Sequence, residues 1–449
     1  MKTENKMGTM PVKQLVISMS VPMMISMLVQ ALYNVVDSVF VARVSENALT
    51  AVTLAFPIQS LVIAIGSGTG VGVNAVLSRA LGAKKQKDAD AAAGAGILLS
   101  LIHYLIILMV GLFLSKAFIS SQTSDPEIIQ FGTTYLEIVT IVSIGAFMQI
   151  MMERLLQATG RTTLSMISQL TGAVINLIFD PLLIFGLAGF PKLGIAGAAW
   201  ATVLGQCVAA VLGLILNLKK NKEINFSFRT ILHPVGSMIA KIYQIAIPSI
   251  LMISIGSIMT YLLDRILMVF SATAVAVFGA YFKLQSFFFM PVFGMNNGVV
   301  PIIAYNYGAQ KKDRIYGTLR FCIKLAAAIM CCGTLVFELL PGTLLDMFSA
   351  SANMKELGIP ALRIIAIHFP LAAVGITLGG IFQGFGKSMY SMFVSIGRQL
   401  VVLIPVAWLL AQTGDLNAVW WCFLISEVVS LLMSVLFYRR VKREIIENI

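Results

Sequence analysis

The 449-residue chain is 58% hydrophobic and only 12% charged, with a mean hydropathy of +0.90 and a formal net charge of +12. No soluble domain needs so large an apolar excess, so the composition places the chain among integral membrane proteins. The basic residues are scattered over many connections rather than gathered in one stripe, which argues against a nucleic-acid partner.

Apolar runs such as 97–114 and 401–410 are long and do not alternate in polarity. Barrel strands would be short and alternating, and a lipid-exposed backbone must satisfy its own hydrogen bonds, so the spans are helices of about 20 residues. In chain order the pattern predicts spans near 14–43, 47–78, 91–119, 127–158, 162–187 and 193–218. A second series follows near 240–270, 274–305, 313–340, 354–384, 387–412 and 416–438. The polar stretch between the series, near 219–239, reads as a linker between bundles at 1–218 and 240–449. The first span is too long for the core of a cleavable signal, so the mature chain is expected to begin near Met1.

The two series are copies. A shift of 226 residues carries Pro22 onto Pro248, Gln59-Ser60 onto Gln285-Ser286, Gly72 onto Gly298 and Gly82-Ala83 onto Gly308-Ala309. The register continues with Gly132 on Gly358, Gln157 on Gln383, Gly160-Arg161 on Gly386-Lys387 and Ser165-Met166 on Ser391-Met392. Six spans per copy return each half to its starting side, which predicts parallel repeats about an axis along the membrane normal. The fold class is therefore an all-α membrane protein of twelve helices in two six-helix bundles.

Basic residues collect on one side of that topology. That side holds Lys2, Lys6 and Lys13, then Arg79, Lys84, Lys85 and Lys87, Arg161, Lys219 to Arg229, Lys311 to Arg314, Lys387 and Arg439 to Arg443. Such loops stay cytoplasmic, so both termini are expected there, in a cell membrane.

An ionisable group at membrane depth is costly and usually marks a pathway. Asp37, in Asn34-Val35-Val36-Asp37-Ser38 of the first span, and Asp180, in Asn176-Leu177-Ile178-Phe179-Asp180-Pro181 of the fifth, are expected at a shared level. Asn176 and Asp180 are four residues apart and project from one face, and Thr202 of the sixth span can add a hydroxyl. Two close carboxylates in a low-dielectric cavity cannot both ionise cheaply, which makes a proton switch; their oxygens equally suit sodium. Protons and sodium both remain open. Pro22 removes a backbone bond to Ser18 and is expected to kink the first helix.

The remaining chemistry is sparse. Cys207, Cys322, Cys331, Cys332 and Cys422 fall inside spans and read as apolar fillers. His103, His233 and His368 show no metal-ligand spacing, and no cofactor motif is present; His368 reads as a neutral histidine bonded between helices, with proton relay as the alternative. Gly66, Gly68, Gly70 and Gly72 allow close packing and are not a phosphate loop. Of the other charges within spans, Glu137, Asp264, Arg265, Lys283, Arg398 and Glu427, the pairs Asp264 with Lys283 and Arg398 with Glu427 are expected to neutralise each other.

Together the duplicated unit, the Pro22 to Asp37 helix, Gly82-Ala83-Lys84-Lys85, Gln157-Ala158-Thr159-Gly160-Arg161 and Asn176 through Pro181 resemble the multidrug and toxic compound extrusion (MATE) transporters over nearly the whole chain. The acidic residues confined to the first copy look most like the prokaryotic, DNA-damage-inducible branch. The resemblance implies a transporter, not an enzyme, that exports amphipathic, often cationic, compounds in exchange for inward protons or sodium, acting as a monomer. It implies that Asp37 is the central cation-binding carboxylate, Asn176 and Asp180 its partners, Thr202 a polar neighbour and Pro22 the bending point. A lipid-linked oligosaccharide flippase of related fold is the alternative; it calls for a cationic cavity, and only Arg265, Lys283 and Arg398 are available for one.

Overall fold

The computed structural model of the protein describes residues 5–348 and 350–449; Lys2, counted above among the basic residues, lies outside them. The described residues are helical and contain no strand. The first copy comprises α1 (Lys6–Thr9), α2 (Val12–Ala42), α3 (Glu46–Gly82), α4 (Gln86–Ser120), α5 (Pro126–Ile141), α6 (Ile144–Ala158), α7 (Thr162–Phe185) and α8 (Ile195–Lys220), followed by the short α9 (Phe228–Leu232). The second comprises α10 (Gly236–Met268), α11 (Ala272–Gly308), α12 (Lys312–Leu339), α13 (Pro341–Asp346), α14 (Ala352–Ala366) and α15 (Phe369–Gly384). It ends with α16 (Ser388–Ile396), a π-helical segment Gly397–Leu403, α17 (Ile404–Ala411) and α18 (Leu416–Glu444).

Among the described residues ten helical stretches are each long and apolar enough to span a membrane, and counting the bent pairs α5–α6 (45°) and α14–α15 (50°) as one span each brings the total to twelve. The first bend has a local cause. Ser143 N–H turns to Thr140 O and Gly145 N–H to Val142 O, the tighter three-residue pattern that steps the backbone out of the α-helical ladder.

Local chemistry repeats with the sequence. Ser45 accepts a hydrogen bond from Ala48 N–H at 3.0 Å, and Ser271, its counterpart, from Ala274 N–H at 3.1 Å, so both copies start their second long helix with the same cap. Both copies end that helix alike. Lys84 (φ 58°) and Gln310 (φ 57°) turn left-handed, and the next residue closes the turn, Lys85 N–H to Ala80 O and Lys311 N–H to Asn306 O, each at 2.9 Å. Gly160 (φ 85°) and Gly386 (φ 76°) make the corresponding stop, closed by Arg161 N–H to Leu156 O and Lys387 N–H to Phe382 O.

Each helix divides into a packed face and a lipid face. On α4 the small residues Ala89, Ala92, Ala93 and Gly96 are buried, with a Cβ at Gly96 coming 2.9 Å from Met151 Sδ, while Leu105, Ile106, Met109, Leu112 and Phe113 are exposed. Small residues at helix contacts and large apolar ones outward are what lipid solvation selects.

The chain groups into two compact units. Unit 1 holds Asn5 and Ile25–Ile250, and unit 2 holds Lys6–Met24 and Leu251–Ile449. The divisions fall inside α2 and α10 at positions related by the same 226-residue shift, just beyond Pro22 and Pro248, and not in the 219–239 segment. That segment is anchored within unit 1. Asp90 accepts from Asn225 N–H (2.9 Å) and Asn225 Nδ2 (3.1 Å), and Asn221 Nδ2 donates to Leu155 O at 3.4 Å. Helix α2 is continuous through Pro22.

Candidate functional site

The site of unit 1 is built on the contact between α7 and α8. Close approach there depends on glycine, since a Cβ at Gly205 would lie 2.6 Å from Gly172 O and 3.3 Å from Asn176 Cβ. With the backbones so near, Asn176 Nδ2 donates to Thr202 Oγ1 at 3.3 Å and lies 3.5 Å from Asp180 Oδ1, one turn along its own helix. Asn176 is 3% exposed and Asp180 is fully buried.

Helix α2 brings Asp37 to the same place, its carboxyl close enough to Asp180 to share a hydrogen bond when one of them holds a proton. Asp37 Oδ1, Asp180 Oδ2 and Asn176 Oδ1 are all buried and accept no hydrogen bond from the protein. Buried oxygens normally have partners, so these three leave acceptor capacity free beside the two carboxylates, where a small cation can be held. The structure thus brings together Asp37, Asn176, Asp180 and Thr202; Pro22 belongs to the part of α2 that groups with unit 2.

Beside these groups lies a cavity of about 50 Å³, lined by Tyr33, Gln30, Gln149, Gln169, Asn176, Thr202, Gly172 and Gly205 among others. That volume holds a few waters or a partly hydrated ion, whereas drug-sized ligands occupy roughly 300–1,000 Å³. The glutamines form struts around it. Gln169 Nε2 donates to Gln30 Oε1 at 3.1 Å, and Gln149 Nε2 to the buried Glu153 Oε1 at 3.0 Å. Tyr33 lines the cavity one turn before Asp37, and Gln59 Nε2 donates to the Tyr135 hydroxyl at 3.0 Å between α3 and α5.

Several of these groups escape sequence reasoning. Tyr33 carried a signal, being one turn before Asp37, and Glu153 carried one as an acid inside the fourth span. Tyr135 and Gln59 carried none, because the rotation of α5 against α3 is not written in either helix alone.

The other charged residues sort differently. Arg398 Nη1 and Glu427 Oε2 pair at 3.2 Å, as expected. Asp264 and Lys283 do not; no ion pair among the described residues joins them, because helical register alone does not fix which faces of α10 and α11 meet. His368 bonds within its own chain turn, Nδ1 to Ile365 O at 2.5 Å, and packs on Phe289, Phe369 and Phe423 rather than bridging helices. All five cysteines are free.

A duplicated set of membrane helices enclosing a buried acidic pair in one copy defines a polytopic transporter. Its relatives agree. The MatE family model matches residues 22–182 and 245–409, one match per copy. Over 411 residues, 91% of this chain and 89% of the relative, the chain is 28% identical to the multidrug export protein MepA of Staphylococcus haemolyticus (strain JCSC1435). It is 26% identical over 430 residues to the protein of the same name from Staphylococcus aureus (strain bovine RF122 / ET3-1), covering 95% of this chain and 93% of the relative. An outward-facing multidrug resistance MATE family transporter of the MOP superfamily superposes with a TM-score of 0.93 at 25% identity, over 100% of this chain and 99% of that one. A MATE crystal structure in complex with MaL6 gives 0.93 at 24% identity, with full coverage of both chains. The chain belongs to the MatE family and is a multi-pass membrane transporter, not an enzyme.

Proposed function

We propose that this protein exports amphipathic, often cationic, compounds in exchange for an inward-moving proton or sodium ion. The single observation that carries the reading is the convergence of Asp37 and Asp180 on Asn176 and Thr202 inside unit 1, with three buried acceptor oxygens unpartnered. The likeness to proteins named for multidrug export supplies the cargo class.

The chemistry follows from the oxygen set. Two carboxylates, an amide and a hydroxyl bind a hard monovalent cation or a proton, and burial makes it expensive to leave both carboxylates charged and unoccupied. Cargo and cation compete for that charge. A cationic substrate neutralises the pair from one side of the membrane and the inward ion displaces it, so the transporter changes conformation only when loaded. Because the unit 1 cavity is ion-sized in this conformation, a drug-sized cargo enters it only if the surrounding helices part. The protein works as a monomer with both termini cytoplasmic and needs no resident cofactor. A flippase role gains nothing from unit 1, whose cavity is lined by glutamines and sits beside acids rather than bases.

The test is dye efflux from proteoliposomes with the proton and sodium gradients imposed one at a time. The reading expects one gradient alone to drive uphill efflux. Equal efflux with neither gradient would remove the exchange mechanism.

A further inference from the structure

Unit 2 contains its own partly buried polar bridge at the register of the unit 1 cavity. The 226-residue shift carries Asn176 to Val402, Thr202 to Val428, Asp37 to Leu263 and Asp180 to Val406, so the second copy has lost the entire cation-binding set. Two cavity-lining positions are exchanged in size at the same time. Gln149 becomes Gly375, and Gly172 becomes Arg398. A cationic side chain thus stands where the first copy keeps open space, and Glu427, next to Val428, faces it.

The geometry is that of a filled site. Arg398 Nη1 lies 3.2 Å from Glu427 Oε2, and Glu427 is 2% exposed. Its second oxygen, Oε1, is buried and has no partner; a Cβ built at Gly375 would lie 3.3 Å from it, so the glycine keeps the space before that oxygen clear. The titratable and charged groups facing the pair are His368 from the α14–α15 break and Tyr281 from α11, with Cys422 of α18 beside Tyr281. Tyr281 is committed elsewhere, its hydroxyl donating to Gln285 Oε1 at 2.7 Å, and His368 Nδ1 holds Ile365 O. Arg398 rides on the π-helical segment Gly397–Leu403, whereas α7 is α-helical through the same register. A π turn widens the helix and re-aims the side chains it carries, and such turns gather at functional sites.

We propose that Glu427 is the centre of a monovalent-cation site whose occupant is the chain's own Arg398 guanidinium, so that unit 2 carries a fixed cation where unit 1 carries an exchangeable one. The comparison with unit 1 rests on the exchange reading above; the occupancy of Glu427 does not. A buried carboxylate deprived of its partner is left uncompensated. Removing the guanidinium therefore turns the site into one that takes up a proton, giving the protein a second exchangeable positive charge.

A hydrophobic carbodiimide reports this directly, because it couples to protonated carboxyl groups in apolar surroundings and the modified peptide is read by mass spectrometry. The full-length protein is compared as wild type, Arg398→Lys, Arg398→Ala and Arg398→Ala with Glu427→Gln. Labelling of Glu427 is expected to be slow in the first two and at least about tenfold faster in Arg398→Ala, as the proton replaces the missing charge. Equal labelling in wild type and Arg398→Ala would overturn the proposal. Should Arg398→Ala melt too early to label, the double variant is expected to recover most of the lost thermal stability, since a neutral amide in place of the carboxylate needs no counter-charge. A double variant as unstable as Arg398→Ala would count against the proposal. Adding Asp37→Asn separates the two readings, because it is expected to stop efflux yet leave Glu427 labelling unchanged. Wild-type efflux with unchanged labelling would remove the exchange reading and leave the Arg398 proposal standing.

Discussion

Asn176 joins Thr202 across the α7–α8 contact at 3.3 Å while standing one turn before Asp180, so one amide positions both a hydroxyl and a carboxylate. The amide nitrogen is spent on these contacts, which leaves its carbonyl oxygen buried and available.

The two ends of that bridge are therefore unequal. Thr202→Ala removes one neutral hydrogen bond worth about 1 kcal/mol, so the apparent affinity for the driving ion should fall roughly fivefold. Asn176→Ala removes a ligand oxygen as well and should cost at least about tenfold. Titration of the driving cation in proteoliposomes checks the order, and a Thr202→Ala defect larger than that of Asn176→Ala would contradict it.

Backbone approach is a separate requirement. A methyl at Gly205 meets the Gly172 carbonyl at 2.6 Å, which is backbone and cannot swing away, so Gly205→Ala should separate α7 from α8. Overpacking of this kind costs about 1–3 kcal/mol, visible as a lower melting temperature together with weaker ion dependence. Gly279 has nothing within 4 Å of its added Cβ, and Gly279→Ala in the same helical setting should be neutral or stabilising.

Glu153 acts through Gln149, which lines the cavity. Glu153→Gln keeps an acceptor for that amide and should retain most transport, whereas Glu153→Leu frees Gln149 and should lose most of it. Rates with protein levels held equal decide the matter; identical defects in both variants would mean that Glu153 works by charge and not by positioning.

Pro22 lies just before the point at which α2 passes from one unit to the other, as Pro248 does in α10. Proline cannot donate to the carbonyl four residues back, so the helix is weak there. Pro22→Ala should stiffen it, raising the melting temperature while slowing efflux. Faster efflux from Pro22→Ala would argue against bending at this position.

Much of this structure is legible in the sequence where its causes are local. Ser45 and Ser271 cap, Gly160 and Gly386 stop helices, and the 226-residue register survives into matching backbone turns, because each depends on a few neighbouring residues. Asp37 and Asp180 are legible because the bilayer fixes depth, and depth alone puts them at one level. Contacts that depend on helix rotation are not. Asp264 and Lys283 do not meet, Gln59 and Tyr135 pair across α3 and α5 unannounced, and the π-helical turn at Arg398 has no marker in composition. The unit divisions inside α2 and α10 are equally silent, since continuous helices give no break in pattern.

The central claim is that Asp37 and Asp180 together hold the exchangeable cation. Gradient-driven efflux by wild type, Asp37→Asn and Asp180→Asn, reconstituted at equal density and checked for unchanged melting, tests it most directly. The account predicts that either single substitution abolishes gradient-driven efflux in a folded protein; wild-type rates in either one would contradict it.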